Sequence, residues 1–168
     1  MTKLPLNPTK SPTVQAVGTW AYLRNYLPLT TGFIEVEVIP EPDNPYDEHA
    51  ISFRHDGNVL GYVPRMDTHR YWNIIARAVE SGMTPTATAQ YYFTENPDGD
   101  PPAFVELHVH LPARTPYSDE SGLIPKSKHY HVPPAYTEPD PELQQLPEPE
   151  PEPETPKKRG FLSRLFGK

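Results

Sequence analysis

The sequence predicts a β-rich α+β protein: a small barrel with one packed helix, followed by a disordered Pro/Glu-rich tail. Phe33–Ile39 alternates apolar and acidic side chains, as in an antiparallel strand with one buried face. Asp56-Gly57 separates two short β-prone runs, and this dipeptide favours a two-residue hairpin turn because both positions accept positive φ. After Asp67 the apolar residues recur with a helical period. These three features together indicate a strand-dominated core with a helix against it.

The elements follow one another with short connections. In chain order we expect a strand at 14–23 interrupted at Gly18, a loop or short helix at 24–32, strands at 33–39, 50–54 and 58–63, a helix ending near Gly82, and a hairpin of strands 86–94 and 103–111. Between the third and fourth of these, Asn44-Pro45-Tyr46-Asp47 is dense in turn-forming residues.

The helix has recognisable ends and one apolar face. Asp67 or Thr68 is the expected N-cap, and Gly82 occupies the C-terminal cap position. The apolar residues at helical spacing are Trp72, Ile75, Ala76 and Val79. We therefore expect these four side chains to face the barrel.

Composition divides the chain into four parts. We expect a disordered lead at 1–13, a barrel at 14–112, a disordered Pro/Glu-rich linker at 113–156 and a basic amphipathic helix at 157–168. The absence of cysteine excludes disulfides and thiolate metal sites. The N-terminus has no apolar run typical of a signal peptide, and no stretch is apolar enough to span a membrane. A cytoplasmic location is expected, peripheral at the inner membrane face if the last helix binds lipid.

Charge is distributed unevenly along the chain. Residues 1–112 carry seven Lys/Arg against thirteen Asp/Glu, whereas residues 157–168 carry five basic residues and no acidic ones. An acidic barrel argues against strong non-specific binding to nucleic acid, whose usual footprint is a basic face.

The stretch from Glu41 to Arg65, EPDNPYDEHAISFRHDGNVLGYVPR, carries a resemblance to a known family. Its NPYD turn, the following Ala-Ile strand and the Gly-Tyr-Val-Pro after the hairpin resemble the core motif of the HIRAN domain, over about residues 14–112. The resemblance implies an OB/SH3-like barrel that binds single-stranded DNA, captures its 3′-hydroxyl end by stacking an aromatic ring on the terminal base, and serves in DNA repair.

The resemblance also implies which residues bind DNA. Carried onto this sequence they are Tyr22, Arg24, Asn44, Tyr46, Asp47, Tyr62 and Arg65. The correspondence is loose for Tyr22 and Arg24, and Tyr62 stands where the animal domain has a histidine. Asn44 and Asp47 also have a purely structural interpretation, because such side chains commonly build turns.

No motif for catalysis or metal binding is evident. His108 and His110 alternate on a predicted strand, and His129 and His131 repeat the spacing, but a zinc site needs a third ligand. We interpret these histidines as exposed strand and tail residues. The chain lacks a phosphate-binding GxxxxGK[ST] loop and a GxSxG nucleophile elbow, so we expect a non-enzyme without metal, cofactor or small-molecule substrate.

The last twelve residues form a basic amphipathic pattern. Its binding side chains are expected to be Lys157, Lys158, Arg159, Phe161, Leu162, Arg164, Leu165 and Phe166. The pattern is similar to the MinD-type membrane-targeting helix of bacterial division-site regulators, which implies contact with an anionic membrane surface. A short motif for a protein groove, or a tail without a binding role, are the alternatives.

These observations favour one function and leave a second open. The first is a non-catalytic adaptor that recognises single-stranded DNA or DNA 3′ ends and carries a tethered C-terminal anchor. The alternative is a protein-interaction adaptor recruited to the inner membrane face by its C-terminal helix.

Overall fold

The alternating strand predicted near Phe33 forms the centre of a curled sheet. The computed structural model describes residues 2–6, 13–26, 29, 32–95, 99, 103–112 and 121–139. Within them the strands are β1 (Thr2–Pro5), β2 (Thr13–Gln15), β3 (Gly32–Glu41), β4 (Ala50–His55), β5 (Asn58–Tyr62), β6 (Met83–Glu95) and β7 (Ala103–His110). The helices are a 3₁₀ helix (Thr19–Asn25) and α1 (Thr68–Glu80). The predicted β-rich fold class is confirmed.

The sheet curls until its two ends meet. Its order is β2-β7-β6-β3-β4-β5, and every neighbouring pair is antiparallel. Just beyond β2, the N–H and carbonyl groups of Val17 pair with those of Tyr62 at the end of β5, at 2.9 Å each. This bridge closes the barrel-like sheet around the core.

The β4–β5 hairpin turns where the sequence predicts. Asp56 and Gly57 both have positive φ, 48° and 80°, the geometry of a type I′ turn. The pairing shifts register between Phe53 and Arg54, a bulge that increases the local twist. The hairpin therefore bends towards the other end of the sheet.

Helix α1 has the predicted ends and a buried face that the prediction gives only in part. Asp67 is the N-cap, and Gly82, with φ 78°, follows the C-cap residue. The apolar residues that α1 buries are Tyr71, Ile74, Ile75, Ala76 and Ala78. Of the predicted stripe of Trp72, Ile75, Ala76 and Val79, the middle two are fully buried, whereas Trp72 and Val79 are only partly buried. Tyr71, which the prediction omits, enters the core, and Trp72 packs against the edge of the core and against His49, with ring centroids 4.8 Å apart.

The long first strand predicted at 14–23 is also wrong. Extended pairing ends soon after Gln15, and Gly18 adopts a left-handed conformation, φ 70°, immediately before the 3₁₀ helix. Gly reaches this conformation without steric cost, so the chain can turn there. The turn takes Trp20 and Tyr22 away from the sheet and places them beside the barrel closure.

Part of the predicted disordered lead is ordered. Strand β1 pairs in parallel with residues 83–86 of β6. It lies at the same edge of β6 that pairs with β7 from Ala89 onward. Leu4 and Leu6 are buried, and the Leu6 N–H donates to the Thr86 carbonyl at 2.7 Å. Burial of these two leucines stabilises an N-terminal stretch that local composition alone did not favour.

Part of the predicted disordered linker packs on the barrel. Residues 121–139, here called the docked segment, contain no helix or strand, but side chains of the rest of the protein bind several of their backbone groups. The Arg77 guanidinium donates to the Ile124 carbonyl at 2.6 Å, and the Ile124 N–H donates to the Ser81 hydroxyl at 3.0 Å. The predicted disorder is therefore wrong for 121–139.

The C-terminal amphipathic helix predicted at 157–168, with the eight side chains named for it, lies outside the described residues, as does the linker from 140 to 156. Among the residues that are described, no helix combines the length and the apolar character needed to cross a membrane.

Candidate ligand-binding pocket

A concave pocket opens beside the Val17–Tyr62 bridge that closes the barrel. Its volume is about 380 Å³, within the range of small-molecule and nucleotide sites. The residues that line it are Val17, Gly18, Trp20, Ala21, Tyr22, Asn44, Tyr46, Asp47, Ala50, Tyr62, Val63, Arg65, Tyr136 and Pro139. Six of the seven predicted DNA-binding residues are in this set; Arg24 is not.

Four chain segments build the pocket. The first is the 3₁₀ helix with the two residues before it, and the second runs from the turn after β3 to the start of β4. The third is the end of β5 with the turn that follows, and the docked segment supplies only Tyr136 and Pro139. Five aromatic rings thus converge on one cavity from segments that are distant in the sequence.

Two of these rings form the wall nearest the barrel closure. The rings of Tyr22 and Tyr62 are tilted by 52° with centroids 5.9 Å apart, and their hydroxyl oxygens are 3.0 Å apart. Burial raises the pKa of Tyr22 to about 12. Burial and the hydrogen bond to Tyr22 also raise the pKa of Tyr62 well above its ordinary range, with the nearby Glu41 carboxylate adding to the effect. Both phenols therefore stay neutral hydrogen-bonding groups at physiological pH.

We expect the Tyr22→Phe variant to lose less stability at alkaline pH than the native protein does. The unfolded phenol ionises near 10.0 but the folded Tyr22 only near about 12, so between these pH values the unfolded state holds fewer protons. The stability that Tyr22 contributes is thus present below pH 10.0 and lost as the pH rises through about 12. Urea unfolding at pH 9 and pH 11 should show a smaller decrease for the variant. Equal decreases would contradict the assignment of a raised pKa to Tyr22.

A buried ion pair lies behind the pocket wall. Glu41 is fully buried (0% exposed) and accepts a hydrogen bond from the Arg54 guanidinium at 2.7 Å. The Asn44 amide donates to the other Glu41 oxygen at 2.9 Å. Because Glu41 also interacts with the Tyr62 hydroxyl, this carboxylate connects the turn, β4 and the pocket wall.

Asn44 and Asp47, for which the sequence also allows a purely structural role, build the turn before β4. The Asn44 side-chain oxygen accepts the Tyr46 N–H at 3.0 Å, and Asp47 Oδ1 accepts the His49 N–H at 2.9 Å. Both are local side-chain-to-backbone bonds of the kind that fix turns. Asn44 and Asp47 therefore shape the turn and line the pocket at the same time.

The rim carries an exposed cation and an exposed ring. The Arg65 side chain is 80% exposed, and its Nε lies 3.6 Å from Asp47 Oδ2. Tyr46, held at the tip of the turn, is 77% exposed. Both side chains are accessible to a ligand that enters the pocket from solvent.

Arg24 lies in a neighbouring cleft. It lines a cavity of about 510 Å³ together with Asn25, the Asp56-Gly57 turn region and Thr137–Pro139. Tyr22 and Pro139 line both cavities, so the two are adjacent. Arg24 therefore shares a cavity with Tyr22 but not with the other five predicted residues.

The residues of the pocket region that sequence reasoning missed include two aromatic lining residues and one buried carboxylate behind the wall. Trp20 was assigned to a strand, Glu41 to the entry of the turn, and Tyr136 to the disordered linker. The aromatic character of Trp20 and its position next to Gly18 were the available signal. Nothing local in the sequence marked Glu41 as buried or Tyr136 as packed, because both properties depend on tertiary contacts.

The histidine pairs do not form a metal site in the described residues. His108 Nε2 lies 3.2 Å from Glu106 Oε2, and His129 and His131 are exposed. In the described part of the chain, no group of three or more His, Cys, Asp or Glu side chains could hold a metal ion.

Comparison with known proteins gives one family. Residues 13–92 match the family model of the HIRAN domain. No curated protein and no solved structure shows significant similarity to the chain. The resemblance seen in the 41–65 stretch is therefore confirmed, over a range that contains every predicted DNA-binding residue but neither β7 nor the docked segment.

Proposed function

Because residues 13–92 form a HIRAN domain, we propose that the chain is a DNA-binding module whose aromatic pocket captures the free 3′ end of a single strand. The family binds single-stranded DNA and its 3′ ends, and the pocket is built largely from the stretch that carries the family's motif. The proposed role is binding rather than catalysis.

The main support for the proposal is that five aromatic side chains line one cavity. Aromatic side chains bind unstacked bases of any sequence, since every base has a π-face, and each stack contributes about 1–3 kcal/mol. A cavity of about 380 Å³ that is open at one side suits a terminal nucleotide better than a continuous strand.

The charge of the chain is compatible with end binding. Residues 1–112 have six more acidic than basic residues, which disfavours tracking along a phosphate backbone. A terminal nucleotide presents few phosphates, and the exposed Arg65 at the rim is placed to contact one of them. Affinity would then depend more on stacking than on charge.

We expect full-length protein to prefer a free 3′-hydroxyl. The measurement is fluorescence anisotropy at low salt with three probes: a single-stranded oligonucleotide with a free 3′-hydroxyl, the same oligonucleotide with a 3′-phosphate, and a blunt duplex. Tyr62→Ala combined with Arg65→Ala should abolish binding to the first probe. Arg65→Gln alone should weaken it by about 1 kcal/mol or more, because a charge-assisted hydrogen bond is lost.

The controls separate binding from folding. Tyr62→Phe keeps the ring beside Tyr22 but loses the hydroxyl contacts with Tyr22 and Glu41, so we expect intact stacking and a modestly lower melting temperature. Lys128→Gln removes an exposed cation outside both cavities and should leave affinity unchanged. Unchanged affinity in the Tyr62/Arg65 double variant, or equal binding of free and phosphorylated 3′ ends, would refute capture of the 3′ end in this pocket.

The acidic charge of the barrel favours one alternative, a protein-interaction adaptor recruited to the inner face of the membrane by residues 157–168. Salt separates the two functions, because phosphate-dependent binding weakens steeply as salt rises. No binding to any DNA probe at low salt would favour the adaptor, and flotation of the full chain with anionic vesicles would then test its proposed membrane anchor.

A further inference from the structure

The pocket has one wall that does not belong to the HIRAN match. Tyr136 and Pro139 line it, and both lie in the docked segment, more than forty residues beyond residue 92. Tyr136 thus approaches the cavity from outside the barrel.

The barrel holds this part of the docked segment in a defined position. Asp43 Oδ1 accepts the N–H groups of Ala135 and Tyr136 at 2.8 and 3.0 Å, and Asp43 Oδ2 accepts the Tyr136 N–H at 3.2 Å. The Arg54 guanidinium donates to the Ala135 carbonyl. Both backbone polar groups of Ala135 are therefore bound by side chains of the barrel.

Apolar contacts support the same position. Val132, Pro133 and Ala135 share a small apolar cavity of about 160 Å³ with residues of β3, α1 and β6. Because these contacts precede Tyr136 directly, its backbone is fixed on both the polar and the apolar side. A tyrosine presented on a fixed backbone can bind a ligand without a large ordering cost.

The cavity remains large with Tyr136 in place. The volume of about 380 Å³ is that of the cavity with Tyr136 and Pro139 in its lining. The docked segment therefore borders the cavity and does not fill it. Tyr46, the exposed ring at the tip of the turn after β3, lines the same cavity. The two rings therefore bound the same opening from two different segments.

We propose that Tyr136 is a ligand-contacting residue of this pocket, which stacks on the terminal base of the bound strand, and that Asp43 positions it. This inference rests on the proposed function, and it adds to the family's pocket a ring from outside the family domain. A base that enters between Tyr46 and Tyr136 would be held on both faces.

The first test is a comparison of two DNA ends in full-length protein. One oligonucleotide ends in a normal 3′ nucleotide, and the other ends in an abasic 3′ nucleotide with the same free hydroxyl. Loss of one base–ring stack corresponds to roughly 5- to 150-fold in Kd. We expect the native protein to bind the abasic end more weakly by at least a factor in this range. For Tyr136→Ala we expect a clearly smaller difference in Kd between the two ends, with the remaining preference for the base due to Tyr46.

Three variants complete the design. Tyr136→Phe retains the ring and should keep the preference for the base. Tyr130→Ala removes another tyrosine of the docked segment, which lines neither described cavity, and should behave as native protein. Asp43→Asn lies outside the pocket lining, and it should both weaken binding and speed hydrogen exchange of the Ala135 and Tyr136 amides.

The outcomes are distinguishable. If native protein binds the 3′ end and Tyr136→Ala still prefers the base as strongly, Tyr136 is not a stacking residue, while the proposed function stands. Tighter binding by Tyr136→Ala, or equal losses in the Ala and Phe variants, would also overturn stacking by Tyr136. If native protein binds neither DNA end, the proposed function fails and this inference fails with it.

Discussion

Arg54→Met is expected to lower the free energy of unfolding by about 3–5 kcal/mol, the range for removal of one partner from a buried ion pair. The Glu41 carboxylate is fully buried, and Arg54 donates to it at 2.7 Å. Without the guanidinium, an uncompensated negative charge would remain in the interior. Arg54 also donates to the Ser52 hydroxyl at 2.9 Å and to the Ala135 carbonyl, so the docked segment should loosen as well.

Urea unfolding at pH 7 measures this loss, and a double variant tests its cause. Arg54→Met combined with Glu41→Gln removes both charges and leaves a neutral amide that can still bond to Asn44. We expect the double variant to recover a large part of the stability, because an unpaired charge is no longer buried. If the double variant is as unstable as the sum of the two single variants, the loss is due to packing and not to the charge.

Gly61→Ala should be the second most damaging substitution, with a loss of about 2–5 kcal/mol from overpacking and backbone strain. A Cβ at this position would lie 3.0 Å from the Val17 carbonyl oxygen and 3.1 Å from the Thr19 methyl group. The Val17 carbonyl is the acceptor in the bridge that closes the barrel. Gly61 also has φ 157°, which side chains disfavour.

The natural control for this substitution is Gly57→Ala. Gly57 also has positive φ, 80°, but a Cβ there would meet no atom within 4 Å. Its replacement should therefore cost only the backbone strain, about 1–2 kcal/mol. Faster hydrogen exchange at the Val17 and Tyr62 amides in Gly61→Ala alone would locate the damage at the barrel closure, whereas equal losses in both variants would contradict the close-contact argument.

The sequence predicts well those elements whose cause is local. The β4–β5 hairpin follows from two residues that accept positive φ, and β3 follows from the alternation after Phe33. Helix α1 begins after Asp67 as predicted, next to a Thr68 hydroxyl that donates to the Arg65 carbonyl at 3.0 Å. In each case a few neighbouring side chains determine the backbone, so the pattern and the structure agree.

Elements stabilised by distant partners could not be predicted in this way. Strand β1 forms because Leu4 and Leu6 are buried beside β6, and residues 121–139 are held by Asp43, Arg54 and Arg77. The helix face was predicted only in part for the same reason. Whether Tyr71 or Trp72 enters the core depends on the side chains of the sheet against which each ring packs. The sequence predicted five pocket residues within 44–65 and also Tyr22, but Trp20 and Tyr136 reach the pocket only through tertiary packing.

The β2–β7 ladder has a practical consequence for truncation. The family match ends at residue 92, whereas β7 begins at Ala103 and pairs with both β2 and β6. A fragment cut at residue 92 would expose the long edge of β6 and remove the ladder partner of β2, and such open edges favour aggregation. The autonomous folding unit is therefore larger than the homologous unit, and a fragment for expression should extend from the first strand through Pro139.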